Sequence, residues 1–100
     1  MDVSSAPLFL IAVIRPRPEH AVEAERALRD LMAGTHQEEG CVFMELVVSD
    51  EDPDTWYMLE KFRSRPDWDL HMQSEHVLHG NAVLADLLRE PTVLQFYVAK

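Results

Sequence analysis

One hundred residues, 47% apolar and 27% charged, bound the chain to one globular domain with a single core. Eighteen acidic against nine basic residues give a net charge of -9 at pH 7, which disfavours nucleic acid and anionic lipid as partners. Cys41 is the sole cysteine, so an internal disulfide and a cysteine-ligated metal cluster are excluded.

Residues 1–7 are small and polar, without the basic and apolar regions of a signal peptide, and read as a flexible start to a domain spanning 8–100. Leu8 to Arg15 is a branched, apolar run stopped by Pro16 and Pro18, which predicts a strand. It falls far short of the ~20 apolar residues of a membrane span, and the chain reads as cytoplasmic. From about Glu19 the period changes. Ala21, Ala24, Leu28, Leu31, Met32 and Thr35 recur at three- and four-residue steps, which predicts an amphipathic helix ending before Gly40. Cys41 to Ser49 and Thr55 to Arg63 read as two strands of a hairpin around the charged, proline-containing turn 50–54. Ser64, Pro66 and Asp67 form a helix-start signal before a short helix carrying Trp68, His71 and Met72. Ser74 is placed to break and recap it. A further helix is expected to about Leu88, ended by Pro91, before a last strand from Thr92 to Val98.

The order β-α-β-β-α-β predicts an α+β, ferredoxin-like domain with one four-stranded antiparallel sheet and helices on one face. Its strands are apolar on both sides. Leu8, Leu10, Ala12 and Ile14 alternate with Phe9, Ile11 and Val13, and Trp56, Met58 and Phe62 alternate with Tyr57 and Leu59. Helices can cover only one of those faces, so a second copy of the chain is the simplest cover for the other.

Three segments carry a resemblance to a known family. Glu38-Glu39-Gly40-Cys41 is similar to an E-x-G-C motif leading into strand two. Residues 56–62, from Trp56 through Glu60 to Phe62, resemble an aromatic-x-x-x-E-x-aromatic strand, and residues 71–76, from His71 through Ser74 to His76, an H-x-x-S-x-H segment. Together, in this order and over nearly the whole chain, they resemble the antibiotic-biosynthesis-monooxygenase family. The resemblance implies a homodimeric α+β barrel, each subunit with a cavity between sheet and helices. It further implies oxygenation of a quinol-like or polyphenolic aromatic by O2 without flavin, haem or metal. Other members isomerise small metabolites. The haem-degrading branch of this fold uses a first-strand asparagine and a late-helix histidine; here the first strand is apolar and the late-helix residue is Asn81. Met44 stands where many relatives carry a tyrosine.

Glu60 lies in an apolar strand row and His71 on an apolar helix face, so a Glu60–His71 pair would satisfy both. Such a pair reads either as a general base with its orienting carboxylate or as a buried structural hydrogen bond. The expected substrate walls are Trp56, Met58, Phe62, Trp68, Met72, His76 and Met44, although aromatic and methionine residues such as Trp56, Met58, Phe62, Trp68 and Met72 are more often plain core. His71 and His76 are five residues apart and on helical spacing face differently, so no metal-ligand set is predicted. No glycine-rich phosphate loop, dinucleotide fingerprint or serine elbow occurs, and no cofactor is expected. Oxygenation of a small aromatic, as the resemblance implies, is the first functional expectation. Isomerisation of a hydroxy-ketone, or ligand binding without catalysis, is the alternative.

Overall fold

The computed structural model describes residues 5–100; most of the segment expected to be flexible lies outside that range. Its strands are β1 (Leu8–Ile14), β2 (Cys41–Val48), β3 (Trp56–Phe62) and β4 (Val93–Val98), and its helices α1 (Ala21–Thr35), α2 (Arg65–Met72) and α3 (Glu75–Leu84). The four strands form one antiparallel sheet in the order β2-β3-β1-β4. This is the ferredoxin-like arrangement, with β1 and β3 at the centre.

Pairing register decides which side chains meet the helices. Leu10 stands opposite Glu60 and Phe96, and Ala12 opposite Met58 and Leu94. These residues share the inward face, because alternate strand residues point to one side. Met44 opposes Glu60 from β2, so the inward row crosses the sheet as Met44, Glu60, Leu10, Phe96. α1 places Ala24, Leu28, Leu31 and Met32 on that row, and α3 adds Val77 and Leu84. The helices approach closely where Gly80 faces Leu31: a Cβ there would lie 2.8 Å from Leu31 Cδ1.

Local sequence explains the element ends. Between β2 and β3, Ser49 Oγ accepts from the backbone N–H groups of Glu51 and Asp52, and the Asp52 carboxylate accepts from Asp54 N–H and Thr55 Oγ. α2 starts as its sequence predicts, with the Ser64 hydroxyl accepting from Asp67 N–H. α3 is shorter than expected. It ends at Leu84, and Leu87 and Leu88 are buried beyond it rather than within it. The chain there is drawn off by hydrogen bonds from Arg17 N–H to Leu87 O and from Arg89 N–H to Arg15 O. Those bonds replace continued helix with a bridge to the end of β1, before Pro91 is reached.

The outward sheet face carries Phe9, Ile11, Leu59, Tyr57, Val93 and Tyr97, none of them buried. No helix among the described residues is long and apolar enough to cross a membrane.

Candidate active site

Between the inward sheet face and the helices lies a cavity of about 590 Å³, in the size range of small-molecule sites. Its walls are mostly apolar, with Met44 and Met58 on the sheet and Trp68 and Met72 on α2. Glu60 and His71 are the titratable groups deep in it, both buried. Asn81 lines it from α3, and Arg89 and Glu90 from the segment before β4, where Glu90 is held by Arg15 at 2.8 Å.

The carboxylate on His71 is Glu38, which corrects the expected Glu60–His71 pair. His71 Nδ1 lies 3.1 and 3.0 Å from the two Glu38 oxygens. A carboxylate only accepts, so Nδ1 carries the proton and Nε2 the lone pair. His71 lines the cavity, and Nε2 has neither a protein partner nor complete burial. Phe62, two residues beyond Glu60 on the same strand face, occupies the space beneath the imidazole, with ring centroids 4.8 Å apart. Glu60 is left facing the cavity, with no hydrogen-bond partner for its carboxyl among the described residues.

His76 completes the arrangement, correcting the expectation that it faces away from His71. The spacing argument assumed one helix, but α2 ends at Met72 and α3 begins at Glu75. Across that break both rings turn to Glu38. His76 Nε2 makes a close contact with Glu38 Oε2 and lies 3.2 Å from Ser74 Oγ. Ser74 Oγ donates to His71 O at 2.6 Å, so toward His76 it can only accept, and His76 Nε2 bears the proton. Gly34 makes room for this ring: a Cβ there would lie 2.5 Å from His76 Cγ.

The electrostatics follow from burial around one negative charge. Burial, reinforced by the charge of Glu38, pushes the Glu60 carboxyl up to about 7. Burial also lowers the His71 pKa below its ordinary value and outweighs the opposing pull of Glu38, so the ring is neutral near pH 7. Burial, then Glu38 and Glu60, push the Cys41 thiol up to about 11, which makes it a poor nucleophile.

Of the residues named from sequence, Met44, Met58, Glu60, Trp68, His71 and Met72 line the cavity. Trp56, Phe62 and His76 do not. Trp56 donates its indole N–H to Pro53 O beside the hairpin, Phe62 supports His71, and His76 holds Glu38 from behind. Glu38 and the Arg89–Thr92 segment went unassigned, although Glu38 belongs to the E-x-G-C motif.

Residues 7–83 match the sequence profile of the antibiotic biosynthesis monooxygenase family. Rv0793 of Mycobacterium tuberculosis, described as a putative monooxygenase, is 36% identical over 91 residues, covering 90% of this chain and 88% of that protein. The chain belongs to the antibiotic biosynthesis monooxygenase family. Structures of related shape agree with that assignment. A conserved protein of Methanosarcina mazei superposes with a TM-score of 0.92 at 26% identity, covering 97% of this chain and 96% of the other. PA3566 of Pseudomonas aeruginosa superposes with a TM-score of 0.87 at 32% identity, covering 97% of each. Family membership supports a monooxygenase-like function. In this member of the family, the cavity joins an apolar, three-methionine wall to one carboxyl and one carboxylate-backed imidazole.

Proposed function

We propose that the chain is a cofactor-independent monooxygenase acting on a small quinol-like or polyphenolic aromatic. The observation that carries this reading is His71, whose Nε2 opens on the cavity while Glu38 fixes its other nitrogen. His71 takes the phenolic proton, and the apolar walls hold the resulting anion beside O2. The electron-rich ring carbon forms a C–O bond with O2, and the hydroperoxide loses water to leave a carbonyl. The substrate supplies the electrons, one oxygen atom enters the product, and the other leaves as water. Glu60, protonated over much of the neutral range, donates a hydrogen bond to the developing oxyanion. A second copy of the chain, covering the outward sheet face, completes the assembly.

Two proton-carrying groups on one cavity also favour a second reading, isomerisation of a small hydroxy-ketone with His71 and Glu60 as base and acid. Oxygen-electrode assays on a panel of benzene and naphthalene quinols separate the two. Monooxygenation predicts one O2 consumed per quinol oxidised, with His71→Gln at least ~100-fold slower. Solvent deuterium entering a hydroxy-ketone without oxygen uptake would replace it by isomerisation.

A further inference from the structure

We propose that Glu38, His71 and His76 form a binding site for a zinc-class divalent cation, and that its occupation withdraws His71 from proton transfer in the cavity. Binding stands on the cluster alone; the inhibition rests on the reading of His71 as the base.

One ligating atom from each residue falls within 4.8 Å of the others. They come from three separate segments: the α1–β2 loop, α2 and α3. Two imidazole nitrogens and one carboxylate oxygen are a donor set that zinc accepts, with a fourth position left for water. The set is already gathered. His71 Nδ1 lies 3.0 Å from Glu38 Oε2, and His76 Nε2 touches the same oxygen. The side chains are 4%, 19% and 26% exposed for His71, Glu38 and His76, so little freedom is lost on binding. Gly34 backs the His76 ring, which fixes its direction.

Charge favours the same occupant. Among the described residues the Glu38 carboxylate meets only the two histidines, while Arg63 is engaged by Glu39 and Asp67. Glu38 thus projects an uncompensated negative field, strong enough to help raise the Glu60 carboxyl. A divalent ion would neutralise it.

The opposing cost sets the affinity. Without metal the two ring N–H groups are satisfied by Glu38, and a cation must displace both hydrogen bonds. His71 must then move its proton from Nδ1 to Nε2, and His76 from Nε2 to Nδ1. Binding is therefore weaker than the tight binding of a structural zinc. The proton shift also carries the functional consequence. With a cation on Nδ1, His71 presents an N–H to the cavity instead of a lone pair, and it can no longer act as a base.

The test titrates zinc chloride into chelator-treated, full-length protein at pH 7.5, by calorimetry and by NMR of the histidine rings. The expected result is about one zinc per chain, at least ~10-fold weaker in Glu38→Gln and His76→Gln, with ring signals of His71 and His76 moving together. Binding that persists undiminished in both variants, or shifts confined to exposed His20 and His79, would overturn the site. The ring signals are read on the unsubstituted chain, so the site is tested even if a variant fails to fold. Zinc bound at this site with oxygen uptake unaltered would overturn the inhibition. Failure of the monooxygenase reading is distinct, since it appears as no oxygen uptake in the zinc-free protein.

Discussion

Glu60 and His71 are both buried and both face the cavity, yet only one has a partner, and that difference is measurable. The folded-state pKa of Glu60 lies above the ordinary 4.5, so the folded chain holds this proton more firmly than the unfolded one. Its contribution to stability is complete below about pH 4.5 and is lost as pH rises through about 7. The titratable groups around it are Glu38, whose charge adds to the rise, His71 in the cavity wall, and Arg89 and Glu90 from the segment before β4. Glu60→Gln should therefore match the parent at low pH and exceed it in stability above neutrality, by ~1–3 kcal/mol. Urea unfolding at pH 4 and pH 8.5 reads this directly, and a parallel pH dependence in both proteins would contradict it. For His71, Gln should retain most of the packing, whereas Ala opens space above Phe62 and costs ~1–3 kcal/mol. Turnover in both should fall by ~100-fold or more. A His71→Gln variant with parental turnover would leave the Glu38–His71 bond purely structural.

At the scale of elements, the strands and helices were legible because period, proline and cap residues agreed. Leu8–Ile14 alternates between sheet faces, and Ser64 caps α2 through Asp67 N–H. Ser64→Ala should cost ~1 kcal/mol in thermal unfolding, since it leaves that N–H without its partner. The end of α3 was not legible. Leu84, Leu87 and Leu88 fit a helical period, but the bridge to Arg15 and Arg17 is a long-range contact that no local pattern reports. The same limit hid the partner of His71. Glu60 and His71 each stand in an apolar row turned to the same core, so mutual satisfaction suggested a pair. Glu38 reaches the ring from 33 residues away, along a loop whose path depends on how α1 meets the sheet. The helix break at Ser74 was visible, but not that it would turn His76 toward His71. Gly34 is the residue on which that meeting depends. Gly34→Ala puts a methyl against a rigid ring rather than a flexible chain end, and should cost ~1–3 kcal/mol while displacing His76 from Glu38. Unchanged ring signals for His76 in that variant would show that α1 yields instead.

For the whole molecule, the unresolved demand is cover for apolar surface. On the outward face Phe9, Ile11, Tyr57 and Leu59 form a central patch, flanked by Phe43 and Val47 from β2 and by Val93 and Tyr97 from β4. Phe43, Val93 and Tyr97 are 43%, 48% and 48% exposed, large values for apolar and aromatic side chains in a sheet. Charge on this face is sparse: Lys61 lies over the Phe9 ring at 5.1 Å, and Glu45 sits opposite Leu59. The inward side of β4 is also exposed at Leu94, Phe96 and Val98, with Phe96 overlaid by Trp68 and Arg65. A face this apolar, on a chain with net charge -9, is poorly matched to nucleic acid or anionic lipid and well matched to its own copy. A two-fold axis would set one outward face on the other and bury the patch on both chains at once. Light scattering at micromolar concentration should then give about twice the chain mass of 11.5 kDa. Leu59→Lys places a charge at the centre of the patch, with no partner within the sheet except Glu45 across the strand pair. Burying that ammonium against a second apolar sheet is costly, so the variant should shift toward monomer and bind an apolar dye more strongly. Leu59 points away from the cavity, so the Glu38–His71 bond should persist in the monomer, visible in the histidine ring signals. A parent chain that scatters as a monomer would overturn the sheet-on-sheet assembly. A dimer that survives Leu59→Lys would place the contact elsewhere, with the exposed edge and inward side of β4 the next surface to substitute.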